Sequence, residues 1–283
     1  MNIAVIGGTG KVGRLVLAGL RGQRVRALVR NDTAAARLGE DTDADIVRAD
    51  LDQPETLEPA LRGIDVLFVA TPFHPTQAQR ELAAIDAAES AGVSRVVKVS
   101  SYGVGVLPRV PGAVAHAEVE ARLRRSSMSW SALRPDWWLD NLLTQLDHIR
   151  EGQLFFPAGD AVVSAVDARD LAEVAVAEIR AEVAMGGSLV LTGPESVTFP
   201  EIAERLSLAA GVPLTWRDEV APEWPDYYAQ GMRKLFGSYR SRGFAPRTHV
   251  IEEVLERPAR TIEQFGREVL KTALAAGDGT MDR

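Results

Sequence analysis

Gly7-Gly8-Thr9-Gly10-Lys11-Val12-Gly13 is the stretch on which the reading of this chain turns. It stands between a short apolar run, Asn2–Ile6, and a segment with helical spacing, Lys11–Arg21, in which Val12, Leu15, Val16 and Gly19–Leu20 share one side. A short run that is apolar throughout reads as a parallel strand buried on both faces. In such a strand–turn–helix unit each glycine has a mechanical task. Gly7 permits the tight turn, Gly10 lets the backbone approach a pyrophosphate, and Gly13 lets the helix pack closely on the strand. The helix N-terminus adds free N–H groups and partial positive charge, which together hold an anion. The spacing here is G-x-x-G-x-x-G rather than G-x-G-x-x-G, with the same mechanics. A glycine-rich turn without a ligand is the bland alternative, and only the surrounding elements decide against it.

Those elements repeat the same alternation. Arg24–Val29, Ile46–Ala49, Asp65–Ala70, Arg95–Val99 and Trp130–Leu133 read as further strands. Pro54–Leu61, Thr76–Ala91, Ala113–Arg125 and Pro135–Arg150 read as helices, the first opened by proline and the second closed by Gly92. This order specifies βαβ units and a doubly wound parallel sheet of the Rossmann type, with ligands at the C-terminal strand ends. Beyond Gly152 the pattern loosens: Val162–Val166 and Leu189–Leu191 look like strands, and Asp167–Ala181 and Pro200–Ala210 like helices. The expected division is a dinucleotide-binding domain over 1–152 and a smaller α/β substrate lobe over 153–283, with Leu189–Leu191 returning to the main sheet. Trp216, Trp224, Tyr227, Tyr228 and Phe236 are candidates for an apolar pocket in that lobe.

Composition narrows the function classes. No cysteine is present, which removes disulfides, zinc–thiolate sites and a cysteine nucleophile. The net charge of −7 argues against direct nucleic-acid binding, which needs a basic surface. No apolar run reaches the ~20 residues of a membrane span, and the N-terminus lacks the basic start of a signal peptide, so a cytoplasmic protein is expected. No carboxylate or histidine set has metal-ligand spacing. The tail Ala275–Arg283 is small and polar and is expected to fray.

The second strand ends in Arg30, where a site for NAD(H) usually carries an acidic residue. A guanidinium suits a ribose 2′-phosphate instead, so NADP(H) is preferred over NAD(H), with Lys11 adding to the positive pocket. Asp50-Leu51 after the third strand is expected at the adenine, and Ala70-Thr71-Pro72 after the fourth along the ribose side.

GGTGKVG, Leu28-Val29-Arg30, Ala91-Gly92-Val93 before Val96-Val97-Lys98-Val99-Ser100-Ser101, and Trp130-Ser131-Ala132-Leu133-Arg134-Pro135 followed by Asn141 resemble the NmrA-like, atypical short-chain dehydrogenase/reductase family. The resemblance ends clearly at Val166-Asp167-Ala168-Arg169-Asp170. It implies NAD(P)-dependent reductases of quinones, enones or imines, benzylic ether reductases, biosynthetic redox enzymes, or redox-sensing regulators without catalysis. The chain departs from the usual Tyr-x-x-x-Lys dyad, since Tyr102 is followed four residues later by Val106. Benzylic ether reductases carry a functional lysine fourteen residues before the aromatic of the sixth strand; here that aromatic is Trp130 and the matching position is His116.

The candidate catalytic groups are therefore His116, Tyr102 and Ser100, with Glu120 orienting His116 from the next turn and Ser100 also a cofactor contact. Phe73, His74, Trp137, Trp138 and Asn141 are candidate substrate contacts. Aromatic walls suit a planar substrate, although packing is the commoner use of each ring taken singly. The expected activity is NADPH-dependent reduction of a conjugated, quinonoid or imine-type planar molecule. The alternatives are an NADP(H) sensor acting through a protein partner and a non-redox biosynthetic enzyme on the same scaffold. Oligomeric state stays open, a homodimer included.

Overall fold

The computed structural model describes residues 1–39 and 42–276. The expected fraying of the tail from Gly277 lies outside them. Contacts divide the chain into two compact units: Met1–Pro135 with Leu171–Val190, and Asp136–Asp170 with Leu191 onward. The change of unit thus comes at Asp136, ahead of the boundary read at residue 152.

The first unit is built on a seven-stranded sheet. Its strands are β1 (Asn2–Ile6), β2 (Arg24–Val29), β3 (Asp45–Arg48), β4 (Val66–Val69), β5 (Arg95–Val99), β6 (Ser129–Pro135) and β9 (Gly187–Leu191). The order is β3-β2-β1-β4-β5-β6-β9, and every pairing from β3 through β6 is parallel. Central strands carry apolar side chains on both faces, and Ile3, Ala4, Val5 and all of Val66–Val69 are buried. The edge strand β3 is mostly exposed and carries Asp45 and Arg48, charges that discourage pairing with another chain.

Alternation along β1 sorts the two layers. Ala4 and Ile6 pack with Leu57, Leu61, Ile85 and Ala88 of α3 (Leu57–Leu61) and α4 (Gln77–Ser90), and with Val119 and Leu123 of α5 (Pro111–Leu123). Val5 points the other way, toward Leu17 of α1 (Lys11–Gly19), whose Cδ1 lies 2.9 Å from where a Cβ on Gly8 would stand. On that side α1 lies against α7 (Ala168–Arg180): a Cβ on Gly19 would come within 2.8 Å of Val176, and Arg180 donates to Gly19 O at 2.6 Å. Arg95 donates to Ala181 O at 2.6 Å and ties the end of α7 to β5.

A helix the sequence reading missed, α2 (Asp32–Leu38), follows β2, capped by Asn31, whose Oδ1 accepts from Ala34 N at 2.9 Å.

The second unit holds α6 (Leu146–Arg150), β7 (Gln153–Phe155), β8 (Val162–Val163), β10 (Val197–Thr198), α8 (Phe199–Ala210), β11 (Thr215–Arg217) and α9 (Asp226–Arg242), then α10 (Val250–Leu255), α11 (Ile262–Phe265) and α12 (Lys271–Ala275). β7 pairs with β11 in parallel and β8 with β10 antiparallel. The helix expected over Pro135–Arg150 does not form as one piece. Trp137 O accepts from Val166 N at 2.8 Å, and Leu139 N donates to Val166 O at 2.9 Å, so residues 136–138 are not helical and Trp138 bridges to Val166. A 3₁₀ segment, Leu139–Gln145, precedes α6. Among the described residues no helix is long and apolar enough to cross a membrane.

Candidate functional site

The parallel sheet reverses its winding between β1 and β4, and the loops at their C-terminal ends open one cavity of about 400 Å³. All of its lining residues belong to the first unit.

The glycine turn forms one wall. Gly7 has φ of +86°, and a Cβ there would stand 1.8 Å from Ala70 O, so the turn lies directly on the end of β4. A Cβ on Gly13 would stand 2.1 Å from Gly7 O, so turn and helix share space only glycine leaves. Gly10 sits at the N-cap in extended conformation, exposed, and a Cβ there would meet only Gly7 O at 3.3 Å. No side chain caps α1 and no acid stands in its first turn, so its amides have no internal anion to hold. Thr9 lines the cavity with Gly7; Val12 is buried in the core, and Lys11 is exposed outside the lining. Arg14 braces the turn, donating to Thr9 O at 3.3 Å and to Arg37 O at 2.7 Å.

At the end of β2 the cavity meets Arg30, Asn31, Thr33 and Arg37. Arg30 is exposed there. Asn31 and Arg37 were not singled out from sequence, because Asn31–Leu38 read only as polar; Asn31 ahead of an alanine run was the available N-cap signal. Asp50 and Leu51 lie on the cavity wall, with Asp50 Oδ1 accepting from Asp52 N at 3.0 Å and so shaping its own loop. Arg80 donates from Nε and Nη2, one edge of its guanidinium, to both Asp52 carboxylate oxygens, which holds the Asp52 carboxyl below its usual range. Ala70, Thr71 and Pro72 complete the wall on the β4 side, joined by Gln77.

Behind Thr71 and Gln77 lies a buried polar network that sequence reasoning did not assemble. Lys98, next to the C-terminal end of β5 and fully buried, puts Nζ 2.9 Å from Glu81 Oε2 on α4, also buried. Lys98 Nζ also donates to Val99 O at 2.9 Å and to His116 Nδ1 at 2.9 Å. Glu81 Oε1 accepts from the Thr71 hydroxyl and from Gln77 Nε2, the latter at 3.1 Å. Burial pushes the Glu81 carboxyl up, but the Lys98 ammonium and the Thr71 hydroxyl together hold it below the ordinary carboxylate range. The signal was present in Val96-Val97-Lys98-Val99: a lysine inside a run buried on both faces needs an acidic partner.

His116 is a neighbour of this network. An ammonium only donates, so Nδ1 accepts and the proton of the neutral ring sits on Nε2, 3.4 Å from Gln77 Nε2. The partner of His116 is Lys98, not Glu120. The Glu120 carboxylate is taken up by the Ser100 hydroxyl at 2.7 Å, by Arg124 at 2.9 Å and by Arg134. Burial, and then the Lys98 ammonium, push the His116 imidazole down to about 3, against the opposite pull of Glu81 and Glu120. An unfolded imidazole takes up its proton near pH ~6.5. Below that value the unfolded chain holds the extra proton, so stability present above pH ~6.5 is lost as pH falls toward the folded value. Urea midpoints should therefore drop between pH ~6.5 and ~5, ahead of most carboxylates, and His116→Gln should flatten that limb. An unchanged slope in the variant would count against the neutral ring.

The remaining expected contacts are scattered. Ser100 is buried, and Tyr102 is half-buried with its N–H donating to Pro135 O at 3.0 Å; neither they nor His116 line the cavity. Phe73 packs on the first turn of α5, its ring 3.4 Å from where a Cβ on Gly112 would stand. His74 Nδ1 accepts from Thr76 N at 3.1 Å and fixes its own loop. Trp137, Trp138 and Asn141 belong to the second unit. Trp137 is buried there, edge-on to Phe156 at 5.3 Å and Phe199 at 4.9 Å, while Trp138 and Asn141 are half-buried. Phe236, Trp224 and Tyr228 continue that ring cluster, Trp216 donates to Phe156 O at 3.1 Å, and Tyr227 is exposed.

A cavity at the reversal of a doubly wound sheet, floored by a glycine turn that leaves no room for side chains, fits a dinucleotide diphosphate. The NAD(P)H-binding family profile matches residues 7–182. The chain belongs to the NmrA-like, atypical short-chain dehydrogenase/reductase family. It is 33% identical over 279 residues to an NAD(P)H azoreductase of Xenophilus azovorans, spanning 94% of this chain and 96% of that protein. It is 31% identical over 278 residues to a (4-alkanoyl-5-oxo-2,5-dihydrofuran-3-yl)methyl phosphate reductase of Streptomyces griseus, spanning 94% and 97%. In fold it is similar to the NADPH-dependent quinone oxidoreductase of Escherichia coli solved with NADPH, with a TM-score of 0.81 at 23% identity over 93% of this chain and 98% of that one.

Proposed function

We propose that this member of the family is an NADPH-dependent reductase of planar, electron-poor substrates: quinones, conjugated carbonyls, imines or azo compounds. The observation that carries the reading is the glycine-floored cavity with Arg30 at its mouth, in a chain a third identical over nearly its whole length to an NAD(P)H azoreductase.

The bound cofactor supplies hydride; binding and orientation are the work of the chain. The amides of the Gly7–Gly13 turn and the start of α1 hold the diphosphate. Arg30, with Arg37 one helix further, balances a ribose 2′-phosphate, and Asp50 and Leu51 meet the base. Ala70, Thr71 and Pro72 hold the cofactor where β4 ends. The absence of a Tyr-x-x-x-Lys dyad suits acceptors whose reduction leaves a stabilised anion, since these need less help from a strong acid in the transition state. His116 is neutral and not a stored acid, and it stands outside the cavity lining, so its part is to accept from Lys98 Nζ and hold that ammonium in place.

The test is substrate-dependent loss of reduced-nicotinamide absorbance with NADPH, against a panel of quinones, azo dyes and unsaturated lactones. Turnover with at least one class is expected. Tight NADPH binding with no turnover across the panel overturns the enzyme reading in favour of a sensor. Arg30→Ala should raise Kd for NADPH by about tenfold or more while changing NADH little, the value of one charge-assisted contact. Equal weakening of both would defeat the NADP(H) preference.

A further inference from the structure

The geometry points to Thr71 as a hydrogen-bond acceptor, fixed in that role by Glu81 and Lys98, for a hydroxyl or amide N–H of the bound dinucleotide. This rests on the dinucleotide reading above and specifies one contact within it.

A threonine hydroxyl ordinarily donates or accepts as its ligand requires, since its hydrogen rotates freely. Here it does not. Thr71 stands on the cavity wall and its hydroxyl faces Glu81 Oε1. Glu81 is buried and ion-paired with a fully buried ammonium, so it is an anion that only accepts. The Thr71 proton is therefore committed inward, and only oxygen lone pairs remain for the cavity. Gln77 Nε2 stands 3.4 Å from the same oxygen, too far to fill them well.

Gln77 Nε2 lies 3.1 Å from Glu81 Oε1 and 3.4 Å from His116 Nε2, so its amide meets an acceptor on one side and the ring N–H on the other and adds nothing to the case for Thr71. The Thr71 oxygen alone, set by one carboxylate, asks for a donor. The dinucleotide offers three kinds: ribose hydroxyls, the carboxamide amine and the adenine amine. A phosphate, which only accepts, does not fit this wall.

The test is equilibrium titration of the full chain with NADPH, followed by nicotinamide fluorescence, beside thermal melting without nucleotide. Thr71→Val should raise Kd about tenfold with a modestly lowered melting temperature, and Thr71→Ser should bind and melt as wild type. Glu81→Gln presents an N–H to Thr71, reverses that hydrogen bond and weakens binding about as much. Made on top of Thr71→Val, it should add nothing, which a merely structural Glu81 would not reproduce. The donor is then found with analogues lacking a ribose hydroxyl, carrying a carboxylate in place of the carboxamide, or carrying hypoxanthine in place of adenine. The analogue whose loss in wild type is absent in Thr71→Val names it. Equal NADPH affinity in wild type and Thr71→Val, or additive losses with all three analogues, overturns the acceptor role. A wild-type chain that binds no dinucleotide overturns the underlying reading and this contact with it.

Discussion

Glu81→Gln should lower the unfolding free energy by about 3–5 kcal/mol, the usual consequence of leaving one buried charge without its partner. Lys98 and Glu81 are 0% and 1% exposed, with Nζ and Oε2 at 2.9 Å. With the carboxylate gone, the ammonium keeps only Val99 O and His116 Nδ1, two neutral acceptors each at 2.9 Å. Lys98→Met should cost a comparable amount, because it strands the Glu81 anion. The double variant, Glu81→Gln with Lys98→Met, should lose less than either single one, since it buries no unpaired charge. Urea denaturation followed by tryptophan fluorescence reads all three. Losses that simply add would mean that the two side chains do not face each other in the folded protein.

The second large effect is expected at Gly13. An alanine there would place Cβ 2.1 Å from Gly7 O, 2.7 Å from Gly7 C and 2.8 Å from Gly8 Cα. All three atoms are backbone, so no rotamer relieves the overlap and the turn must open. We expect Gly13→Ala to weaken NADPH binding on the order of a hundredfold, equivalent to losing two charge-assisted hydrogen bonds, together with a lower melting temperature. Gly10→Ala is the control. It meets only one atom, at 3.3 Å, on the exposed side of the turn, and should leave melting unchanged while still hindering the ligand. If Gly13→Ala binds NADPH within about threefold of wild type, the amides of this turn do not carry the diphosphate.

The contrast between those two predictions shows where sequence is informative. The glycine turn was legible because its demand is local: a strand, a turn and a helix between Asn2 and Gly19 state the steric problem and its solution together. The central strands β1 and β4 were legible for the same reason, each being a short run apolar on both faces. The Lys98–Glu81 pair joins β5 to α4 across the layer, and neither residue's neighbours name the other. The three expected proton donors show the same limit. Ser100 and Tyr102 were singled out at the end of the fifth strand, and His116 by its match to the lysine position of benzylic ether reductases. The structure turns Ser100 toward Glu120 and His116 toward Lys98, choices made by which charges are buried nearby. The helix expected over Pro135–Arg150 failed where the Trp137 and Val166 backbones pair, a long-range contact that outweighs local propensity. Asn31–Arg37 went unread because a short capped helix of alanines and charged residues has little periodicity to detect.

The first unit is discontinuous, closed by Leu171–Val190 only after the chain has made its excursion through Asp136–Asp170. During synthesis, therefore, the nucleotide end emerges first yet cannot reach its final state. Until Leu189 leaves the ribosome, β6 is an open border with free amides and carbonyls, and the groove over α1 awaits Val176. A polypeptide halted near Arg150 would hold every residue of the cofactor cavity and still be an unfinished sheet, exposed to pairing with its own kind.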